Sequence, residues 1–288
     1  LSTFGGFAVA VGAAALYGAS PVAQAVAATR STTGSGLGVG LTLRLARQPI
    51  WLLGLACDLG GFAMEAYAFS LAPATLVAPV MAADMLVFLL LATVVLRSPL
   101  TRTGWIGAGI LSLGAALLAL AFTGGGELGA AADNASLLWM LTAALVVCGG
   151  VVGMVARFHV RGPVAALGFS LAAGVAFGLA TMATRQVGRT FDPHQPLELF
   201  TTPTPYLLAV CSLLAITIEQ RALQNDPFVA FPVTSAVSAF LPAILGAAVL
   251  GDEVPGGFPR VVFVVALALL AAGVAVVGRS RAHSEDST

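Results

Sequence analysis

The chain has 288 residues, of which 58% are hydrophobic and 9% charged, with a mean hydropathy of +0.97 and a formal net charge of zero. A water-soluble domain carries about 25% charged residues, so this composition excludes a soluble globule and points to an all-α polytopic membrane protein. No nucleotide loop, zinc motif or nucleophile elbow is present, so nothing marks an enzyme, a cofactor, a metal site or a nucleic-acid partner. Cys57, Cys148 and Cys211 fall inside apolar runs without metal-ligand spacing and read as small buried side chains.

A bilayer core of about 30 Å needs about 20 apolar helical residues. In chain order, nine stretches meet that requirement: 4–28, 50–71, 74–96, 104–123, 137–156, 163–185, 204–224, 227–250 and 259–278. Their boundaries are marked by Arg97-Ser98-Pro99, Gly124-Gly125-Gly126-Glu127, Arg161-Gly162-Pro163, Asn225-Asp226-Pro227 and the run from Asp252 to Gly257. The first stretch lacks a basic n-region and is long for a signal peptide, so it reads as a retained span. Between the first two, Leu37, Leu41 and Leu45 share one face of a short interfacial helix, and Arg44 and Arg47 make the segment 31–49 a poor span.

Nine spans place alternate loops on opposite sides. One side collects Arg30, Arg44, Arg47, Arg97, Arg102, Arg157, Arg161, Arg221, Arg279 and Arg281; the other holds Arg185, Arg189 and Arg260, with the acidic loop of Glu127 and Asp133. The positive-inside rule then sets the C-terminus in the cytoplasm and the N-terminus outside, in a bacterial inner membrane. Trp51, Trp105, Trp139 and Tyr206 lie near span starts, where interfacial aromatics are expected.

The chain also repeats itself. At the offset that carries Glu65 to Glu219, Leu53, Cys57, Leu59, Ala68 and Pro73 meet Leu207, Cys211, Leu213, Ala222 and Pro227. After a one-residue shift, Pro79-Val80 and Ala83 meet Pro232-Val233 and Ala236, and Tyr17-Gly18 in the first span is weakly like Phe177-Gly178 in the sixth. The Glu and Pro matches weigh most, because those residues are scarce inside spans. The expected organisation is a first repeat of four spans (1–123), a linker with one span (124–162), a second repeat of four spans (163–278) and a polar tail (279–288). An odd linker inverts the second repeat, giving a 4+1+4 plan of the kind found in secondary transporters with a midplane site.

Several short motifs, in order and spacing, carry a family likeness. They are Trp51-Leu52-Leu53-Gly54, Ala66-Tyr67-Ala68-Phe69, the run from Pro73 to Pro79, the glycine-rich 104–121, Glu219-Gln220-Arg221-Ala222-Leu223, Phe231-Pro232-Val233 and Leu250-Gly251-Asp252-Glu253. In these the chain resembles the drug/metabolite transporter superfamily, in its EamA-like and NIPA-like branches. The resemblance implies a transporter of metabolites, drugs or, in the NIPA-like branch, magnesium. Two departures stand against a direct transfer. Gly60-Gly61-Phe62-Ala63 replaces the Gly-Glu-x-x-Asn element of NIPA-like proteins, and Arg97-Ser98 replaces the Glu often found after the third span.

Four carboxylates, Asp58, Glu65, Asp84 and Glu219, fall well inside predicted spans, and no Arg lies as deep. A charge at a helix centre costs about 2.5–3.5 kcal/mol on insertion scales, so each acid should face water, a cation or a neighbouring acid, or rest neutral and hydrogen-bonded. Asp58 and Glu65 are seven residues apart, sharing a helix face about 10 Å apart along the axis. Glu65 and Glu219 sit about 6 Å to either side of their span centres, as an inverted repeat would place them. Gln24 and Gln220 are candidates to line the same cavity, and Tyr17, Tyr67, Phe69 and Phe177 either stack on an organic cation or simply fill the span. Pro21, Pro79, Pro232 and Pro242 interrupt spans, as kinks or as sources of free carbonyls. Asp252 and Glu253 suit the start of the last helix. His159, His194 and His283 lie in loops or the tail, with none placed as a base inside a span.

The reading that follows is a transporter working by alternating access, its substrate a small molecule or ion, cationic or proton-coupled, bound by Glu65, Glu219, Asp58 and Asp84 with Gln220, Gln24 and Tyr67. Two alternatives stay open: a NIPA-like magnesium or divalent-cation transporter, and a non-transporting membrane assembly subunit. Besides its substrate and the lipid bilayer, a second copy of the chain is an allowed partner through the glycine-rich faces of the fourth and fifth spans.

Overall fold

In hydrocarbon, backbone N–H and C=O groups have no water to bond, so an apolar segment satisfies them within a helix. The structure, a computed structural model, describes residues 2–30, 39–71, 77, 80–81, 83–97, 102–121, 134–158, 160–190, 196–249 and 257–285, and among them it is helical with no strand. The helices are α1 (Ser2–Arg30), α2 (Val39–Leu45), α3 (Pro49–Leu71), α4 (Asp84–Val95), α5 (Arg102–Ala121), α6 (Asn134–Arg157), α7 (Gly162–Thr190), α8 (Thr204–Asn225), α9 (Pro227–Val249) and α10 (Phe258–Glu285), with a 3-10 turn at Pro196–Thr201.

Six of these, α1, α5, α6, α7, α8 and α10, contain segments long and apolar enough to cross a membrane; within α4 and α9 the stretches Asp84–Val95 and Pro227–Pro242 are apolar but shorter. The chain is a membrane protein. Helix α3 has the length of a span, 23 residues, and carries Asp58 and Glu65 within it. Each segment predicted to span overlaps a helix; in the third (74–96) that helix is α4, twelve residues long, and 74–76, 78–79 and 82 lie outside the described residues. Pro79, the pair Asp252-Glu253, His159, His194, and Glu127 and Asp133 of the acidic loop lie outside the described residues.

The segment expected to hold a short helix has one over Val39–Leu45, and Leu37 lies outside the described residues. Helix α2 has seven residues, about 10 Å of helix, far short of a bilayer. It folds back so that Leu45, fully buried, packs with Ala27 and Trp51. This corrects the expectation for Trp51. Its ring is 6% exposed, covered from below by α2, and it is no interfacial anchor. Trp139 and Tyr206, 75% and 58% exposed, keep the exposure an interfacial residue needs.

Helix α1 packs along α3 and α4; in the same manner α7 packs along α8 and α9. Helix α5 lies along α10, α6 lies against α7, and α1 crosses α8 and α9. These crossings are close because the contact residues are small. Ala25, Ala28, Ala165, Ala172, Ala173, Ala176, Ala215, Ala222 and Ala230 are fully buried in one cluster, and association in lipid rests on such close packing rather than on a hydrophobic driving force. Gly18 is closest to α4: a Cβ there would stand 2.5 Å from the Asp84 carbonyl oxygen and 2.7 Å from Val87 Cβ. Gly174 stands likewise against α9, 2.5 Å from Val237 Cβ, and Gly178 lies against Leu241.

Asp226 joins α8 to α9. Its extended backbone ends α8, and its Oδ1 accepts a hydrogen bond from Phe228 N at 2.9 Å, an N-cap in front of Pro227 at the first helical position. Pro232 and Pro242 both lie inside α9, which continues through them.

Gly174→Leu is expected to destabilise the α7–α9 contact by about 1–3 kcal/mol, the usual cost of overpacking. Gly109→Leu, where a Cβ meets nothing within 4 Å, should leave the melting temperature in detergent unchanged. Equal melting temperatures for the two variants would contradict the packing described.

Candidate functional site

A cavity of about 440 Å³ opens between α1, α3, α7, α8 and α9, within the ~300–1,000 Å³ range of small-molecule sites. Helix α1 contributes Tyr17, Ser20, Pro21 and Gln24; α3 contributes Trp51, Leu55 and Asp58. From the other side come Phe177 of α7, Ile216 and Glu219 of α8, and Phe231, Thr234, Ser235 and Ser238 of α9. Among the described residues, two carboxylates, four hydroxyl-bearing Ser and Thr residues and four aromatic rings line this one space, with no Arg or His.

The polar groups are tied by a relay of amides. Gln24 Nε2 donates to Asp58 Oδ2 at 2.9 Å and to Ser20 Oγ at 2.9 Å, while Gln24 Oε1 accepts from Gln220 Nε2 at 2.8 Å. A carboxylate only accepts, so Asp58 dictates which way the Gln24 amide faces, and Gln24 in turn dictates Gln220. The relay joins α3 to α1 and α1 to α8. It leaves Gln220 Oε1 buried with no hydrogen-bond partner, and Trp51 Nε1 likewise. One turn on, Gln224 Nε2 donates to the Ala28 carbonyl at 3.1 Å, a second polar tie between the same two helices.

Glu219, beside Gln220 in the chain, faces the cavity with Asp58 close enough to act on it electrostatically. Two more acids stand behind the cavity wall. Tyr17 Oη donates to Glu65 Oε2 at 2.9 Å, and Tyr17 also feels the charges of Asp58 and Asp84. Glu65 and Asp84 interact electrostatically with each other, and Asp84 Oδ1 accepts from the Met85 amide at the start of α4. The Tyr17 ring is therefore the element between the cavity acids and the rear acids.

The four acids singled out from the sequence fall into two places. Asp58 and Glu219 line the cavity, and Glu65 and Asp84 are connected to it through Tyr17. Gln24 and Gln220 do meet, across the interface between α1 and α8. Tyr67 lies elsewhere, 58% exposed and outside the cavity lining, while Tyr17 and Phe177 both face the cavity. Pro232 is buried within α9 beside Phe231. Trp51 and Phe231 were named from the sequence only as motif or interfacial residues, and Ser20, Thr234, Ser235 and Ser238 not at all. Ser and Thr residues are common in these spans, and only the crossing of helices shows which of them converge. Among the described residues, no three His, Cys, Asp or Glu side chains lie together as a metal-binding group.

No protein-family model, no curated protein and no solved structure matches this chain.

Removing one amide of the relay leaves its buried neighbour unpaired. Gln24→Leu and Gln220→Leu should each cost about 1–3 kcal/mol, and the double variant should cost less than their sum. Unfolding of the four forms in detergent provides the cycle; additive losses within about 0.3–0.5 kcal/mol would mean that the two amides are uncoupled.

Proposed function

We propose that this chain is a secondary transporter of the drug/metabolite transporter type, moving a small cationic or proton-coupled solute by alternating access. One observation carries the reading: Asp58 of α3 and Glu219 of α8, from opposite parts of the chain, line one cavity with no basic side chain among the described residues that line it. Two carboxylates without a basic partner in that lining are costly in a low-dielectric space. A bound cation or a proton lowers that cost, and the same carboxylates can exchange one for the other. The aromatic rings of Tyr17, Trp51, Phe177 and Phe231 around the acids add favourable faces for a cation.

The packing supports an internal repeat as the moving framework. The repeat pairs Gly18 with Gly178, and its second register pairs Phe88 with Leu241. Gly18 abuts Val87 and the Phe88 amide of α4, and Gly178 abuts the Leu241 side chain of α9, so each paired glycine lies against the helix that the repeat would assign to it. In this reading, α1 with α3 and α4, and α7 with α8 and α9, are the corresponding helix groups of two inverted halves within nine spans. Their rocking opens the cavity to either side in turn, in a plasma membrane with the C-terminus cytoplasmic. The Gln24–Gln220 hydrogen bond lies where the two groups meet, so it breaks or slides in each cycle.

The test is transport by purified protein in liposomes, screened with amines, quaternary ammonium ions and divalent cations under an imposed pH gradient. A substrate at 100 times its Kd raises stability by about 2.7 kcal/mol, so a thermal screen selects the compounds first. Asp58→Asn and Glu219→Gln are expected to fold, to lose the stabilisation and to lower flux at least tenfold. Undiminished flux by both variants would defeat the proposal.

A further inference from the structure

A second cavity, of about 430 Å³, lies away from the acids and has the opposite character. Its walls are α6 and α8 and its floor is α7. Leu145, Cys148, Gly149 and Val152 form one face of α6, at the i, i+3, i+4, i+7 spacing of a helix stripe. Val210, Leu213, Thr217 and Arg221 form the facing stripe of α8, and Phe169 of α7 closes the floor. Leu145, Val210 and Leu213 are between 46% and 49% exposed, and a Cβ on Gly149 would meet nothing within 4 Å. This is an open furrow between two helices that both lean on a third.

Its length and its single charge say what fills it. From Val210 to Arg221 the furrow follows eleven residues of α8, about 16 Å, which is half of the ~30 Å hydrocarbon core and so the depth of one leaflet. Along that length it is apolar, apart from Thr217, whose hydroxyl donates to the Leu213 carbonyl at 2.7 Å. At the end nearest the C-terminus of α8 stands Arg221, which donates one hydrogen bond to Gln224 Oε1 at 3.1 Å, with the guanidinium of Arg44 from α2 within electrostatic reach. An arginine has five N–H donors, and an anion at this end of the furrow is attracted by both positive charges. A phosphodiester is the anion that arrives with an apolar chain attached, and Arg is well shaped to bind it.

We propose that the furrow between α6 and α8 is a binding site for one anionic phospholipid, with an acyl chain lying along Leu145, Gly149 and Leu213 and the phosphate held at Arg221 and Arg44. The site is independent of the transport reading, since it shares no residue with the cavity of Asp58 and Glu219. Its floor is shared, however: Phe169 belongs to the same packed cluster as Ala25, Ala28 and Ala222, where α1 crosses α8. Lipid in the furrow therefore braces the helix crossing that carries the Gln24–Gln220 bond.

The full chain, purified in a zwitterionic detergent and stripped of lipid, would be titrated with phosphatidylglycerol or phosphatidylcholine of identical oleoyl chains while its melting temperature is followed. Phosphatidylglycerol is expected to raise the melting temperature at lower concentration than phosphatidylcholine. In Arg221→Gln that preference should fall about tenfold or more. Gly149→Leu, whose Cβ meets nothing within 4 Å and whose side chain takes up room in the furrow, should weaken phosphatidylglycerol binding with Arg221 intact. The soluble headgroup glycerophosphoglycerol should produce no shift. Equal response to the two lipids, an undiminished preference in Arg221→Gln, or a headgroup shift equal to that of the lipid would overturn the proposal. If Arg221→Gln fails to fold, Arg44→Gln and Gly149→Leu decide the matter by the same readout.

Discussion

Carboxylates inside an apolar helix bundle are the constraint on which the rest of this structure depends. Asp58, Glu65, Asp84 and Glu219 sit in helices whose other residues are suited to lipid, and each needs a donor, a cation or water. The fold meets that need by gathering them around α1. Gln24 serves Asp58, Tyr17 serves Glu65, the Met85 amide serves Asp84, and Glu219 is given the cavity itself. Helix α1 is thus the polar spine of the bundle, and its neighbours α3, α4, α8 and α9 are the helices it must touch to play that part.

Such contact is possible only because the helices approach closely. Dispersion and a few polar ties hold spans together where lipid is as apolar as their own side chains. The alanine cluster around Ala172 and Ala222 and the glycines Gly18 and Gly174 bring backbones near enough for short side chains to reach across. A Gln24–Gln220 bond at 2.8 Å between α1 and α8 requires that approach. With bulkier residues at the crossing the amides would separate, and each would be left buried and unpaired, at about 1–3 kcal/mol per group. Packing and site are in this sense one feature.

The two cavities make a useful contrast. They are nearly equal in volume and lie on either side of α8, but one face of that helix presents Glu219 and Ile216 inward while the opposite stripe presents Leu213, Thr217 and Arg221 outward. An α-helix turns about 100° per residue, so Glu219 and Arg221, two residues apart, point to different sides. The chain therefore keeps a carboxylate and a guanidinium close in sequence without letting them neutralise each other. Glu219 faces the inner cavity, and Arg221 faces the furrow on the other side of α8, within electrostatic reach of Arg44.

Composition and hydropathy by themselves determined that this is an all-helical membrane protein, and where along the chain most of its helices lie, because the length of a span and the exclusion of charge from it are local properties of the chain. The deep acids were also legible, since Asp and Glu stand out against an apolar background. Their partners were not. That Gln24 reaches Asp58, that Trp51 is buried against α2, and that Ser20, Thr234 and Ser238 face the same space as Glu219 depend on which helix faces turn toward each other. Helix orientation within a bundle is set by contacts among residues far apart in sequence, summed over whole interfaces. In a chain whose spans are apolar on nearly every side, no single amphipathic stripe announces the inward face, so only the tertiary structure decided it.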